Sequence, residues 1–104
     1  MITAERYHDI SCGHRVVGHE GKCRFLHGHN YRIHFIITSE YLDAVGRVLD
    51  FSVIKTLLCE WLEDNFDHKF LIWENDEMLP QLQAITAESL VVVPFNPTAE
   101  NIAK

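Results

Sequence analysis

Apolar and polar side chains alternate from His29 to Glu40. One parity is apolar and the other polar: Tyr31, Ile33, Phe35 and Ile37 alternate with Asn30, Arg32 and His34. A period of two is typical of a half-buried β-strand. Residues 2–14 hold enough β-branched and aromatic side chains for an earlier strand. The glycine-containing stretch between the two segments is predicted to be a loop.

A different period follows in the second half of the chain. Apolar residues recur at spacings of three and four: Phe51, Ile54, Leu57, Leu58, Trp61 and Leu62. This pattern predicts a helix that is capped by Asp50 or Ser52 and runs to about Asn65. "EMLPQLQ" is compatible with a short helical turn, and "SLVVVPF" predicts a strand closed by Pro94. In "NPTAENIAK", Thr98 is a plausible cap for a last helix, with Glu100 well placed against its dipole.

The order strand, strand, helix, strand, helix start favours one α+β domain over residues 1–104, with antiparallel strand pairing. A chain of 104 residues buries only a modest core, so self-association would help its stability. The formal net charge of −6 argues against nucleic acid as the main partner, because phosphates attract lysine and arginine. No apolar run approaches the roughly 20 residues of a membrane span. The N-terminus lacks the pattern of a signal peptide, and three unevenly spaced cysteines favour reduced thiols in the cytoplasm.

The motif "HGH" is the strongest chemical signal in the sequence. His27 and His29 share the parity of Tyr31, so both imidazoles are expected on the inner face of the strand. If the two predicted strands pair around the loop, His14 lies opposite this motif. Three histidines with one open coordination position are the arrangement of catalytic zinc. Spacing alone leaves a polar strand start in solvent as an equal alternative. His8, His19 and His34 are weaker candidates for the third ligand.

Two further groups could carry chemistry near the histidines. Cys23 has cationic neighbours on both sides, which favour a thiolate, so it could be a fourth ligand, a nearby base or a bystander. Cys12 and Cys59 are expected on regular elements and are interpreted as bystanders. Asp67 precedes His68, and a carboxylate can orient a histidine. Adjacent residues in a turn seldom touch, however, so a simple helix-terminating turn stays open.

Four blocks carry a resemblance to a known family: "CRFLHGHNY", "GRVLDFSVIK", "DHKFL" and "NPTAENIA". They occur in the order found in the 6-pyruvoyltetrahydropterin synthase/6-carboxytetrahydropterin synthase family, and the resemblance covers essentially the whole chain. It implies the tunnelling fold, an antiparallel sheet with two helices on one face that assembles into homo-oligomeric barrels. It also implies site residues: zinc ligands His14, His27 and His29, catalytic residues Cys23, Asp67 and His68, and a pterin pocket lined by Thr98, Ala99 and Glu100. In the family these groups meet at subunit interfaces.

The short spacing from Cys23 to His27 is similar to that of bacterial 6-carboxytetrahydropterin synthases, which serve 7-deazaguanine and queuosine synthesis. The resemblance therefore implies a Zn²⁺-dependent lyase that converts 7,8-dihydroneopterin triphosphate to 6-carboxytetrahydropterin, acetaldehyde and triphosphate. Alternatives are a 6-pyruvoyltetrahydropterin synthase and a catalytically impaired zinc-binding assembly subunit. A plain zinc hydrolase would need a glutamate base, and Glu20 has no supporting context. Family members continue into a last strand with a pterin-binding glutamate, so the C-terminal part of the domain is expected to be missing here.

Overall fold

A computed structural model describes residues 1–104, and its dominant feature is a long antiparallel hairpin. Strand β1 (Ile2–His14) pairs with β2 (His27–Ser39) along its whole length. The register runs from Ile2 opposite Ser39 to His14 opposite His27. Both predicted strands are confirmed. The second strand begins at His27 rather than His29, because the "HGH" residues pair with the end of β1.

The complete sheet is mixed, with the strand order β2-β1-β3-β4. Strand β3 (Phe70–Trp73) pairs in parallel with both β1 and β4 (Leu90–Val93). The expectation of a wholly antiparallel sheet is therefore wrong for this half. A helix lies between β3 and β4 in the chain, and such a crossover is what joins parallel neighbours. The α+β class itself is confirmed.

The predicted helix of residues 51–65 is present as three consecutive parts. They are α1 (Phe51–Ile54), a π-helical turn (Lys55–Cys59) and α2 (Glu60–Asn65). Asp50 is the cap, because its Oδ1 accepts a hydrogen bond of 2.9 Å from the Ser52 backbone N–H. Two shorter helices follow, α3 (Leu79–Thr86) and α4 (Ala99–Ala103). No helix has the length and the apolar run that crossing a membrane requires.

The core lies between the sheet and two of the helices. Buried Ile10 and Cys12 of β1, Leu71 of β3 and Leu62 of α2 form its centre. Half-buried apolar side chains surround them: Tyr31, Ile33, Phe35, Phe66, Val91 and Ile102. Since α2 and α4 both contribute to this cluster, they cover the same side of the sheet, as predicted. We call this side the helix face.

The other side of the hairpin carries polar pairs, and we call it the polar face. Ser11 donates a hydrogen bond of 2.7 Å to Asn30, and Arg32 forms an ion pair of 2.8 Å with Asp9. Directly paired residues of an antiparallel ladder point to the same side. Cys12, which belongs to the core, is the partner of His29, and His14 is the partner of His27. The candidate metal ligands therefore extend the helix face at one end of the hairpin.

Candidate metal and catalytic site

Three imidazoles meet where β1 ends and β2 begins. His14, His27 and His29 each offer one ring nitrogen, and these nitrogens all lie within 4.8 Å of one another. The ring centroids are 4.5 Å apart for His14 and His27, 4.7 Å for His27 and His29, and 5.1 Å for His14 and His29. The hairpin register produces this cluster, because His14 lies directly opposite His27. We call the cluster the histidine triad.

Backbone carbonyls orient two of the three rings. The Nδ1 of His14 is 2.6 Å from the Pro97 carbonyl oxygen, and the Nδ1 of His27 is 2.7 Å from that of Phe25. A carbonyl only accepts, so each Nδ1 carries the proton and each Nε2 has a lone pair that can act as an acceptor or a ligand. The Nε2 of His27 is buried and has no hydrogen-bond partner. Such a set of fixed imidazoles with an unpartnered nitrogen fits a divalent metal ion.

The protonation state of His14 also fits ligation. Burial lowers the pKa of His14 below its ordinary value, and the neighbouring His27 and His29 act in the same direction. The hydrogen bond to Pro97 opposes this shift without cancelling it. His14 therefore stays neutral to a lower pH than an ordinary histidine, whose pKa is about 6.5. A neutral imidazole is the form that binds a metal.

Tyr31 is a member of the site that sequence reasoning placed only in the core. Its hydroxyl oxygen is 3.3 Å and 3.2 Å from the Nδ1 and Nε2 of His14. Burial raises the pKa of Tyr31 to about 12, and the nearby thiols of Cys12 and Cys23 contribute. The hydroxyl therefore remains protonated at neutral pH. The signal was present in the sequence, because Tyr31 follows His29 at the same strand parity.

Cys23 lies in a short 3₁₀ turn (Lys22–Arg24) and is half-buried. Its carbonyl oxygen accepts a hydrogen bond of 2.7 Å from the Val16 backbone N–H. Together with a bond from the Arg15 side chain to the Arg24 carbonyl, this bond holds the turn against the two residues that follow His14. Cys12 and Cys59 are both buried, and burial raises the pKa of Cys12 to about 11. Cys23 is thus the thiol with access to solvent.

Asp67 and His68 contact each other directly, which the sequence analysis did not expect. The His68 Nδ1 is 2.7 Å from the Asp67 Oδ2. His68 has a φ of 61°, in the left-handed region, and this unusual backbone accompanies the contact between neighbouring side chains. The other Asp67 oxygen accepts a 2.8 Å hydrogen bond from the Ser11 N–H. That bond, followed by the one to His68, lowers the pKa of Asp67 and keeps it ionised.

The Asp67–His68 pair belongs to the polar face. The His68 imidazole is 82% exposed and lines two open grooves of about 440 and 530 Å³ together with Ser11 and Asn30. Ser11 and Asn30 are polar-face residues, whereas the histidine triad extends the helix face. His29 of the triad also borders the smaller of the two grooves.

The segment predicted to line the pterin pocket adjoins the triad. Thr98 caps α4, since its hydroxyl oxygen accepts a 3.1 Å hydrogen bond from the Asn101 N–H. Ala99 and Glu100 are exposed in the first turn of that helix. Pro97, which precedes Thr98, supplies the carbonyl that orients His14. This link could not be predicted, because a backbone carbonyl leaves no signal in the sequence.

The remaining candidate histidines lie beside other groups. The Nε2 of His8 is 3.2 Å from a Glu63 carboxylate oxygen but lacks hydrogen-bond geometry, and His34 contacts Glu5 at 2.6 Å. His19 accepts a hydrogen bond of 2.8 Å from the Gly21 N–H in its own loop. None of the three joins the group of ligand atoms formed by the triad.

The comparisons with known proteins agree on one protein family. The family model described as 6-pyruvoyl tetrahydropterin synthase matches residues 3–104. A Rickettsia felis protein named 6-carboxy-5,6,7,8-tetrahydropterin synthase is 40% identical over 104 residues, covering 99% of this chain and 75% of the relative. A Haemophilus influenzae protein of the same name is 31% identical over 111 residues, covering 100% of this chain and 78% of the relative. A crystal structure of an uncharacterized Wolinella succinogenes protein superimposes with a TM-score of 0.87 at 26% identity, covering 98% of this chain and 78% of that one.

Proposed function

Because the chain belongs to the 6-pyruvoyl tetrahydropterin synthase family, we propose that it is a zinc-dependent lyase acting on 7,8-dihydroneopterin triphosphate. With water, the substrate yields 6-carboxy-5,6,7,8-tetrahydropterin, acetaldehyde and triphosphate. The carboxy product is favoured by the relatives, which are named 6-carboxy-5,6,7,8-tetrahydropterin synthase. The short spacing from Cys23 to His27 agrees with that choice. Queuosine synthesis is the route that such a product would serve.

The observation that carries this proposal is the convergence of three imidazoles with one buried, unpartnered nitrogen. His14, His27 and His29 would hold the ion, and zinc is the metal that such a three-histidine set suits best. When bound, zinc supplies Lewis-acid polarisation of substrate oxygens. The carbonyls of Pro97 and Phe25 keep two of the ligand rings in the required tautomer.

Side chains around the triad would carry out the proton transfers. Cys23, as a thiolate, would remove a proton from the substrate side chain. His68 would carry protons to and from the side-chain oxygens, using the Nε2 that its contact with Asp67 leaves free. Asp67 stays ionised and fixes the orientation of that imidazole. Thr98, Ala99 and Glu100 would contact the pterin beside Pro97.

We propose that the complete site combines two copies of the chain. The Asp67–His68 pair borders the polar-face residues Ser11 and Asn30, whereas the triad extends the helix face, so the pair of one copy would serve the triad of a neighbour. Strand β2 forms an edge of the sheet along 13 residues, and a long free edge can pair with another chain. We therefore propose a homo-oligomer with active sites at the subunit interfaces. The three free cysteines suit a reducing cytoplasm.

Incubation of the pure protein with 7,8-dihydroneopterin triphosphate should release acetaldehyde and triphosphate and form a 6-carboxy pterin. Mass spectrometry of the pterin and an enzymatic assay for acetaldehyde would measure both products. The His29→Ala protein is the matched control and should form neither. A 6-pyruvoyl product without acetaldehyde would overturn the carboxy assignment but keep the family chemistry. Failure to consume the substrate would contradict the lyase and favour a zinc-binding assembly subunit.

A further inference from the structure

A buried ion pair begins at the residue that follows the triad member His14. Arg15, the residue after His14, is 8% exposed, and Asp76, which follows β3, is 4% exposed. The two side chains meet in a bidentate contact, with Arg15 Nε 2.6 Å from Asp76 Oδ2 and Nη2 2.8 Å from Oδ1. The Met78 N–H donates a further hydrogen bond of 2.8 Å to Asp76. Buried charges need such complete pairing, and it fixes the guanidinium plane in one orientation.

The fixed guanidinium has one more contact, and this contact reaches the turn that holds Cys23. The Nη1 of Arg15 donates a hydrogen bond of 3.2 Å to the Arg24 carbonyl oxygen. The next residue, Val16, donates its backbone N–H to the Cys23 carbonyl oxygen at 2.7 Å. Two consecutive carbonyls of the Cys23 turn are therefore held by the two residues that follow the metal ligand His14.

Apart from these two bonds, the turn has mainly local support. The Phe25 N–H reaches the Lys22 carbonyl, and the Arg24 side chain reaches the carbonyls of Glu20 and Gly21. None of these bonds connects the turn to the sheet. One further bond ties the turn to the sheet, between the His27 ring and the Phe25 carbonyl oxygen at 2.7 Å. The carbonyls of Cys23 and Arg24 themselves are held by Val16 and Arg15. The Val16 bond uses the backbone alone, whereas the Arg15 bond requires that particular side chain.

We propose that the Arg15–Asp76 pair is a clamp that positions the Cys23 turn against the histidine triad. Arg15 and Asp76 are positioning residues, because they act on the reaction only through Cys23. This inference rests on the proposed function in giving Cys23 the role of base. A displacement of about 1 Å of a catalytic group can lower turnover by about 100-fold. The clamp would prevent such a displacement.

The test must separate positioning from plain stability. Arg15→Lys keeps the charge but loses the forked contact and the Nη1 donor, and it leaves Asp76 incompletely paired. The double variant Arg15→Met with Asp76→Leu removes both buried charges, a replacement that often preserves stability. It also removes the donor to the Arg24 carbonyl. Ile54→Val is the control, because it shortens a buried side chain of α1. Helix α1 forms no hydrogen bond with the turn.

Amide hydrogen exchange of residues 21–26 should become faster in Arg15→Lys and in the double variant. The peptides of β1 and β2 should keep their protection, the zinc content should stay the same, and the Ile54→Val protein should match the parent in the turn. In an active enzyme, kcat should fall by roughly 10- to 100-fold with little change in KM. Unchanged exchange in the double variant would overturn the clamp. Faster exchange with unchanged kcat would overturn its positioning role. A parent without turnover would contradict the proposed function alone, and the exchange comparison would still decide whether the clamp exists.

Discussion

Replacing His27 or His29 by alanine is expected to remove most of the bound zinc, which should be about one ion per chain in the parent. A tetrahedral ion left with two protein ligands binds poorly. Loss of an outer-shell partner alone typically costs 10–100-fold in affinity, so loss of a ligand should cost more than about 100-fold. Metal analysis of the purified variants after dialysis against a weak chelator would measure the effect.

Two controls make the metal measurement specific. His34→Ala removes a histidine of β2 that lies on the opposite parity and contacts Glu5, so it should keep its zinc. Cys23→Ala should also keep its zinc if the thiol is a base. Equal loss in Cys23→Ala would identify Cys23 as a fourth ligand. Full zinc in both histidine variants would exclude the triad as the metal site.

The second large effect is expected at Cys23. Cys23→Ala should keep its fold and metal but lose turnover by roughly 10²–10⁴-fold, the usual contribution of a general base. Steady-state assays with 7,8-dihydroneopterin triphosphate would measure this loss. The matched control is Cys59→Ala, which removes a thiol buried in the helical segment and should remain active apart from any loss of stability.

Chemical labelling gives an independent measure of the same role. Iodoacetamide at neutral pH should modify Cys23 faster than Cys12 or Cys59, because both of those thiols are buried and the pKa of Cys12 is raised by burial. Peptide mapping after short exposures would rank the three sites. An active Cys23→Ala protein, together with slow alkylation of Cys23, would show that this thiol is a bystander.

The sequence predicted β2 and the long helix because their periods are clear, whereas β1 was predicted from its β-branched and aromatic residues. The alternation around Ile33 indicates which side chains of β2 are half-buried, and "HGH" follows the same parity. Strand β3 escaped prediction because "FLIW" has no alternation, and Leu71 and Ile72 are both fully buried. A strand buried on both faces shows a continuous apolar run, which a short segment shares with a helix. Because β3 was not predicted, its parallel pairing with β1 and β4 was not predicted either.

At the candidate site, side chains were predicted better than backbone contacts. The grouping of His14 with "HGH" followed from strand parity and the assumption that the two strands pair. The direct contact between Asp67 and His68 accompanies a left-handed backbone at His68. A histidine in the sequence does not predict this conformation, because residues other than glycine and asparagine rarely adopt it. The carbonyl of Pro97 and the buried pairing of Arg15 with Asp76 depend on segments far apart in the chain. Such contacts follow from the tertiary structure rather than from local pattern.

Reconstitution with metal tests the central claim most directly. The protein would be stripped with a strong chelator, titrated with zinc, and assayed for triphosphate release from 7,8-dihydroneopterin triphosphate at each step. Turnover should be lost in the stripped protein and should return in proportion to zinc, reaching its maximum at about one ion per chain, whereas the His27→Ala protein should stay inactive throughout. Undiminished turnover in protein shown to be free of metal, or no turnover in protein fully loaded with zinc, would contradict a zinc-dependent lyase built on His14, His27 and His29.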